Sequence, residues 1–239
     1  MSTRRPARSV KFSLAIVLDR LRSEGGLCLF DLDSTLLDNR PRQALILREF
    51  GEQFGEPGLA QVEPRHFEGW SLVVAMRNAG LPEARALALE PEARAFWHDR
   101  FFTSDYCRHD VPIQGAVEFV HSVAEAATVV YLTGRHREMG PGTVACLSSS
   151  GFPIPTDERV RLLLKPEQSL HDDLWKEQAC AVVRALGPVR AAFDNEPAHI
   201  NRYRERFPEA LCVHLDTDHS GRPIPLAPGI PSVPNFLLT

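Results

Sequence analysis

Cysteine is scarce and unpatterned in this chain. Its five residues, Cys28, Cys107, Cys146, Cys180 and Cys212, form no CxxC pair and are odd in number. That argues against a disulfide framework or a thiolate zinc site, and for reduced core thiols in a cytoplasmic protein. No apolar stretch reaches the ~20 residues of a membrane span. The apolar segment Val10–Leu18 is broken by Lys11 and Ser13, and no small-residue cleavage site follows it. It reads as an amphipathic helix, not a signal peptide. Neither sign of charge dominates: 27 Lys and Arg oppose 31 Asp and Glu, a net charge of −4. The chain therefore has no global attraction for nucleic acid or an anionic membrane. The basic start (Arg4, Arg5, Arg8, Lys11) reads as a solvated terminus. Internal repeats and low-complexity tracts are absent as well. What is present is an ordinary globular composition, 44% hydrophobic and 24% charged over 239 residues. That suffices for one large domain, or a core with a smaller insertion.

The periodicities predict an alternating chain. A first helix over Val10–Ser23 stops at Gly25-Gly26, and a strand follows over Leu27–Asp31. From Pro41 to Asp110 every segment reads as helical, with breaks at Gly55-Glu56-Pro57 and Asn78-Ala79-Gly80 and separate helices starting at Leu81-Pro82-Glu83 and Pro91-Glu92. Helices over Gln114–Ala126, Met139–Ser150, Asp172–Leu186 and Pro197–Phe207 then alternate with strands over Thr128–Leu132, Arg159–Leu164, Val189–Phe193 and Leu211–Leu215. Five strands separated by helices predict an α/β fold: a doubly wound, parallel, five-stranded Rossmann-like sheet. The all-helical block between the first two strands reads as an inserted cap. The expected organisation is a discontinuous core, residues 1–40 and 111–239, with a cap over 41–110. The proline-rich tail from Gly221 is expected to lack regular structure.

Chemistry gathers where predicted strands end, which is where open α/β sheets bind ligands. Asp31-Leu32-Asp33-Ser34-Thr35 leaves the first strand directly. Two carboxylates this close repel each other, and Mg²⁺, a hard ion that prefers oxygen, would offset the repulsion. Leu132-Thr133-Gly134-Arg135 ends the second strand with a hydroxyl, a glycine and a guanidinium suited to phosphate oxygens. Two lysines follow the third strand: Lys165 at its end, and Lys176 in the first turns of the next helix, where a cation opposes the helix dipole and calls for an anionic partner. Asp194-Asn195-Glu196-Pro197 ends the fourth strand, and the same residues can cap the next helix. Asp216, Asp218 and His219 read as a solvated turn.

Phe30-Asp31-Leu32-Asp33-Ser34-Thr35-Leu36, Leu132-Thr133-Gly134-Arg135, a helix lysine and Asp194-Asn195, in this order, resemble the four motifs of haloacid dehalogenase-like hydrolases. The resemblance spans residues 27 to 215, and the helical insertion resembles that superfamily's type-1 cap. The resemblance implies a Mg²⁺-dependent phosphomonoester hydrolase with Asp31 as nucleophile and Asp33 as general acid/base. Thr133 and Lys176 would hold phosphate oxygens, as would Leu32, Gly134 and Arg135. The metal would lie on Asp31, Asp33 and Asp194, with Asn195 or Glu196 as a further contributor. The resemblance favours Lys176 over Lys165. An acid at position 33 is absent from the dehalogenase and phosphonatase branches, because a halide leaves without a proton and an alkoxide does not. The expected partner is a small phosphorylated metabolite, of the nucleotide or sugar phosphate class, with no membrane and no nucleic acid. The alternatives are a nucleic-acid 3′-end phosphatase, which Arg94, Arg100 and Arg108 keep open, and a binding or regulatory protein on a weakened hydrolase core.

Overall fold

The computed structural model describes residues 12–156 and 158–238. The basic start Arg4–Lys11 lies outside them, as does the beginning of the expected first helix; helix α1 is described over Ala15–Glu24.

The four residues of strand β1 (Leu27–Phe30) are all buried, as a central parallel strand requires. After β1 the chain forms a short strand β2 (Leu37–Asp38) and enters a helical insertion: α2 (Arg40–Phe54), α3 (Leu72–Asn78) and α4 (Glu83–Phe101), linked by 3₁₀ turns. It returns through β3 (Val111–Pro112), which pairs antiparallel with β2. This ribbon forms the base of the insertion. The core then continues through α5 (Ala116–Ala126), β4 (Thr128–His136), α6 (Gly140–Ser149), β5 (Val160–Lys165), α7 (Asp172–Leu186), β6 (Val189–Asp194), α8 (Pro197–Arg206), β7 (Leu211–Leu215) and β8 (Ser232–Val233).

The sheet order is β5-β4-β1-β6-β7-β8, and every pairing in it is parallel. The α/β reading holds, with six strands instead of five. The extra strand lies in the proline-rich tail, where Ser232 pairs with His214 and Val233 with Leu215. Pro231 and Pro234 flank it, and proline, having no N–H to donate, suits a sheet edge. The tail also returns to the core: Phe236 is 1% exposed and packs on Phe119 and Phe193 at ring-centroid distances of 5.3 and 5.4 Å. Gly115 (φ +76°) permits this, since a Cβ there would sit 2.8 Å from the Phe236 backbone.

The insertion has its own apolar core, built from Ala44, Leu47, Phe50, Leu72, Met76, Leu89, Phe96 and Trp97. The sequence predicts two helices across Pro91, but the structure has one, α4, with Pro91 inside it. An internal proline costs a helix ~3 kcal/mol. Continuity wins because Ala86, Leu89, Ala93, Phe96, Trp97 and Phe101 fall on one buried stripe across the proline. Strand β4 runs four residues past its expected end at Leu132, with a register irregularity between Leu132 and His136. The second motif therefore lies within the strand's irregular end.

Candidate active site

β1 lies between β4 and β6, because the chain winds outward on one side of β1 and then returns to the other. This switch point brings three strand ends together. Asp31 follows β1 and Asp194 ends β6. Thr133, Gly134 and Arg135 lie in the irregular end of β4. The Asp31 amide bonds Phe193 O at 3.0 Å, and the Leu32 carbonyl accepts the amides of Thr35, Leu36 and Leu37. The loop turns tightly through Ser34, which has φ +58°.

Lys176, one turn into α7, reaches Asp31 Oδ1 and Asp194 Oδ2, each at 2.7 Å. All three side chains are buried. Burial pushes the Asp31 carboxyl up; Lys176 opposes this, and Asp194 and Asp33 add to it. Burial also works against the Asp194 carboxylate, but Lys176 and His199 outweigh it and hold that group low. The Lys176 ammonium is held well above its ordinary range because Asp194 and Asp31 outweigh its burial. Thr35 Oγ1 lies 3.1 Å from Asp31 Oδ2 and accepts the Asn195 amide. Lys165, the other candidate lysine, pairs with Asp172 at 2.6 Å instead.

Asp33 has a different environment. Arg135 binds it through Nε and Nη2 at 2.9 and 2.8 Å, and Arg42 Nη2 lies 2.8 Å from its Oδ1. Asn39 adds a contact at 3.3 Å. Burial opposes ionisation, yet the two guanidiniums hold the carboxyl well below the usual range. Asp110 completes the cluster. Arg135 Nη2 donates to it at 2.6 Å, and Arg42 Nε lies 2.9 Å away without hydrogen-bond geometry. Arg135, expected to bind substrate, is thus engaged by Asp33 and Asp110.

Other expected residues are also engaged. Thr133 is fully buried, and its hydroxyl accepts the Arg135 amide. Leu32 is a core side chain. A Cβ on Gly134 would lie 2.6 Å from Asp172 Oδ2, so glycine lets α7 dock closely; Trp175 Nε1 donates to Thr133 O beside it at 2.8 Å. Neither Asn195 nor Glu196 offers a free side chain for metal. Asn195 bonds Thr35 and the Asp218 carbonyl, and Glu196 bonds Ser220 and Arg222. His199 Nε2 bonds Asp173 at 2.7 Å, and its Nδ1 lies 3.6 Å from Asp194.

The donor set suits Mg²⁺. Asp31 and Asp194 share one ammonium, which leaves a buried negative charge in excess. Among the described residues no three His, Cys, Asp or Glu side chains converge on one point. A cation would therefore be held by two carboxylates and water, and Mg²⁺ characteristically binds through one or two carboxylates and keeps several waters.

Above these groups lies a cavity of about 540 Å³ between core and insertion. Gln168 and His98 join its walls at 3.1 Å, and beside it the Gly69 amide donates to Asp218 at 3.1 Å.

Arg42, Asn39, Asp110 and Arg222 carry no signal in the sequence. Arg42 and Asp110 stand at the two ends of the insertion, and no local pattern marks them. Asp172-Asp173 are visible at a helix start, but the partners of Asp173, His199 and Arg222, are distant in sequence.

No protein-family model and no curated protein matches the sequence. Solved structures do match. A haloacid dehalogenase-like hydrolase of Streptococcus pneumoniae superposes with a TM-score of 0.53 at 12% identity, over 88% of this chain and 94% of that one. A chain described as a haloacid dehalogenase-like hydrolase, from Burkholderia xenovorans, gives 0.49 at 18% identity, over 89% and 93%. This chain has the haloacid dehalogenase-like fold that its four motifs lead one to expect.

Proposed function

We propose that this protein is a Mg²⁺-dependent phosphatase that cleaves small phosphomonoesters through an aspartyl-phosphate. One observation carries the reading: Lys176 bridges Asp31 and Asp194 at 2.7 Å each, at the floor of a cavity roofed by the insertion. Phosphoryl transfer needs positioning and charge neutralisation above all, and this floor supplies both.

Asp31 attacks phosphorus in line, and the bond to the leaving oxygen breaks as the Asp31–phosphorus bond forms. The Lys176 ammonium lies beside Asp31 and neutralises charge on the transferring group. Mg²⁺ on Asp31, Asp194 and the Asp33 carbonyl would screen the repulsion between nucleophile and phosphate. Water then attacks the aspartyl-phosphate, releasing inorganic phosphate and restoring Asp31. Asp33 carries the proton: it gives one to the leaving oxygen as that bond breaks, then takes one back from the water that attacks the aspartyl-phosphate. Its ionised state suits the second task, and the first requires Arg42 and Arg135 to loosen their hold.

The insertion acts as the cap that excludes water. The bridged walls enclose a volume typical of metabolite sites, which favours a small soluble ester over a nucleic-acid end. The convergence of Asp31, Lys176 and Asp194 at one strand switch point favours an enzyme over a retired scaffold. Among the described residues no helix is long and apolar enough to cross a membrane.

The test is hydrolysis of a generic aryl phosphate with Mg²⁺, with EDTA, and by Asp31→Asn. Metal-dependent release that disappears in the variant is the expected result. Undiminished release by Asp31→Asn would overturn the nucleophile assignment.

A further inference from the structure

We propose that the part of the cavity lined by the insertion selects a leaving group that carries a planar aromatic ring, so that the substrates are phosphomonoesters such as nucleoside monophosphates. The proposal rests on the phosphatase reading above and divides the nucleotide from the sugar phosphates.

Two features of the cavity point this way. The first is an aromatic wall contributed by the insertion. Trp70 and Phe102, both half-buried, line the cavity with His98. Phe101 lines the cavity too, Trp97 lies behind it, and the two hold Trp70 and Phe102 in place. Trp70 meets Trp97 and Phe101 edge-on at 6.3 and 5.5 Å, and Phe102 meets the same two rings at 5.5 and 5.2 Å. Trp97 and Phe101 stack at 4.4 Å, and Arg42 lies 3.8 Å over the Phe101 ring. A wall so buttressed loses little freedom when a ring packs on it.

The second feature is that many of the polar side chains around the cavity are already paired with one another. Lys165 binds Asp172. Asp173 binds His199 and Arg222. Glu196 binds Ser220 and Arg222, and Gln168 binds His98. A hexose presents a hydroxyl on almost every carbon. Each would have to compete with these pairs for their remaining donors and acceptors, which weakens what a hydroxyl gains there. A flat ring needs only the aromatic faces.

The experiment compares kcat/KM for adenosine 5′-monophosphate, pyridoxal 5′-phosphate, glucose 6-phosphate and acetyl phosphate, the last having no ring to place. We expect at least one of the two aromatic esters to exceed glucose 6-phosphate by ~10-fold or more, and which of them does identifies the ring. Trp70→Leu should lower the ratio of aromatic ester to acetyl phosphate by about tenfold through KM, and Trp70→Phe should restore most of it. Glucose 6-phosphate turned over as well as both aromatic esters, or a ratio unmoved in Trp70→Leu, would overturn the inference and leave the phosphatase reading intact. If no ester is cleaved, the phosphatase reading fails. Isothermal titration of the wild-type protein then decides the inference alone: adenosine 5′-monophosphate or pyridoxal 5′-phosphate must bind about tenfold more tightly than glucose 6-phosphate. Equal affinities would end it.

Discussion

Arg42 Nη2 lies 2.8 Å from Asp33 Oδ1, which ties the first turn of the insertion to the second carboxylate of the nucleophile loop. Arg135 grips the same carboxylate, and Asp110 lies against both arginines. The result is a cluster of two carboxylates and two guanidiniums at both chain crossings of the insertion, buried except at the partly exposed Asp33. It is balanced only while all four members remain.

Removing one member should therefore be costly. Arg135→Met leaves a buried carboxylate pair facing a single cation, and breaking such an arrangement typically costs about 3–5 kcal/mol. Arg135→Lys should rescue little, since an ammonium cannot reproduce the two-pronged contact with Asp33. Urea melts measure both. A loss below ~1 kcal/mol for Arg135→Met would mean that water reaches the cluster and screens it.

Asp31 makes the opposite prediction. Its carboxyl is pushed up to about 7 by burial, against Lys176. Between the ordinary carboxylate range near pH 4 and about pH 7, the folded state holds a proton that the unfolded chain has released, so this group lowers stability as pH rises. In metal-free buffer Asp31→Asn should therefore be the more stable protein at pH 7.5, by on the order of 2 kcal/mol. The advantage should fade towards pH 4, where Asp31 is neutral in both states. Thermal melts across this range check it; an advantage independent of pH would place its cause elsewhere.

Mg²⁺ should raise the melting temperature of the wild type. A ligand at about 100 times its Kd adds ~2.7 kcal/mol, enough to read by calorimetry without any substrate. Asp194→Asn removes one of the two carboxylate donors and should abolish most of the shift. An equal shift in that variant would show that the ion binds somewhere else.

Gly142 tests how the insertion is seated. A Cβ there would lie 2.1 Å from the Ser104 carbonyl oxygen, and the Gly142 amide donates to Ser104 Oγ at 3.1 Å. Because the obstructing atoms are backbone, Gly142→Ala should cost about 1–3 kcal/mol and displace the turn that leads from α4 to Asp110. A stability unchanged within ~0.5 kcal/mol would show that the two segments can separate freely.

Much of the fold and of the site is legible in the sequence. Asp31, Thr133 and Asp194 stand at the ends of apolar strand runs, and Lys176 stands one turn into a helix with clear periodicity. Local pattern alone places such residues. The stripe from Ala86 to Phe101 is also present in the sequence, and reading Pro91 as a helix start obscures it. Strand β8 is hidden for another reason: two residues between prolines carry no periodicity, and only the exposed edge of β7 makes them a strand.

The sequence by itself determined the order of strands and helices, the helical insertion and the nucleophile loop, because these follow from hydrophobic period and from residues adjacent in the chain. Only the tertiary structure decided what each charged group does. It brought Lys176 to Asp31 across 145 positions and closed Arg42, Asp110 and Arg135 around Asp33. It also turned Glu196 away to Ser220 and Arg222. Charge pairing in a buried site depends on distance in space, and separation along the chain carries no information about that distance until the sheet has brought its strand ends together.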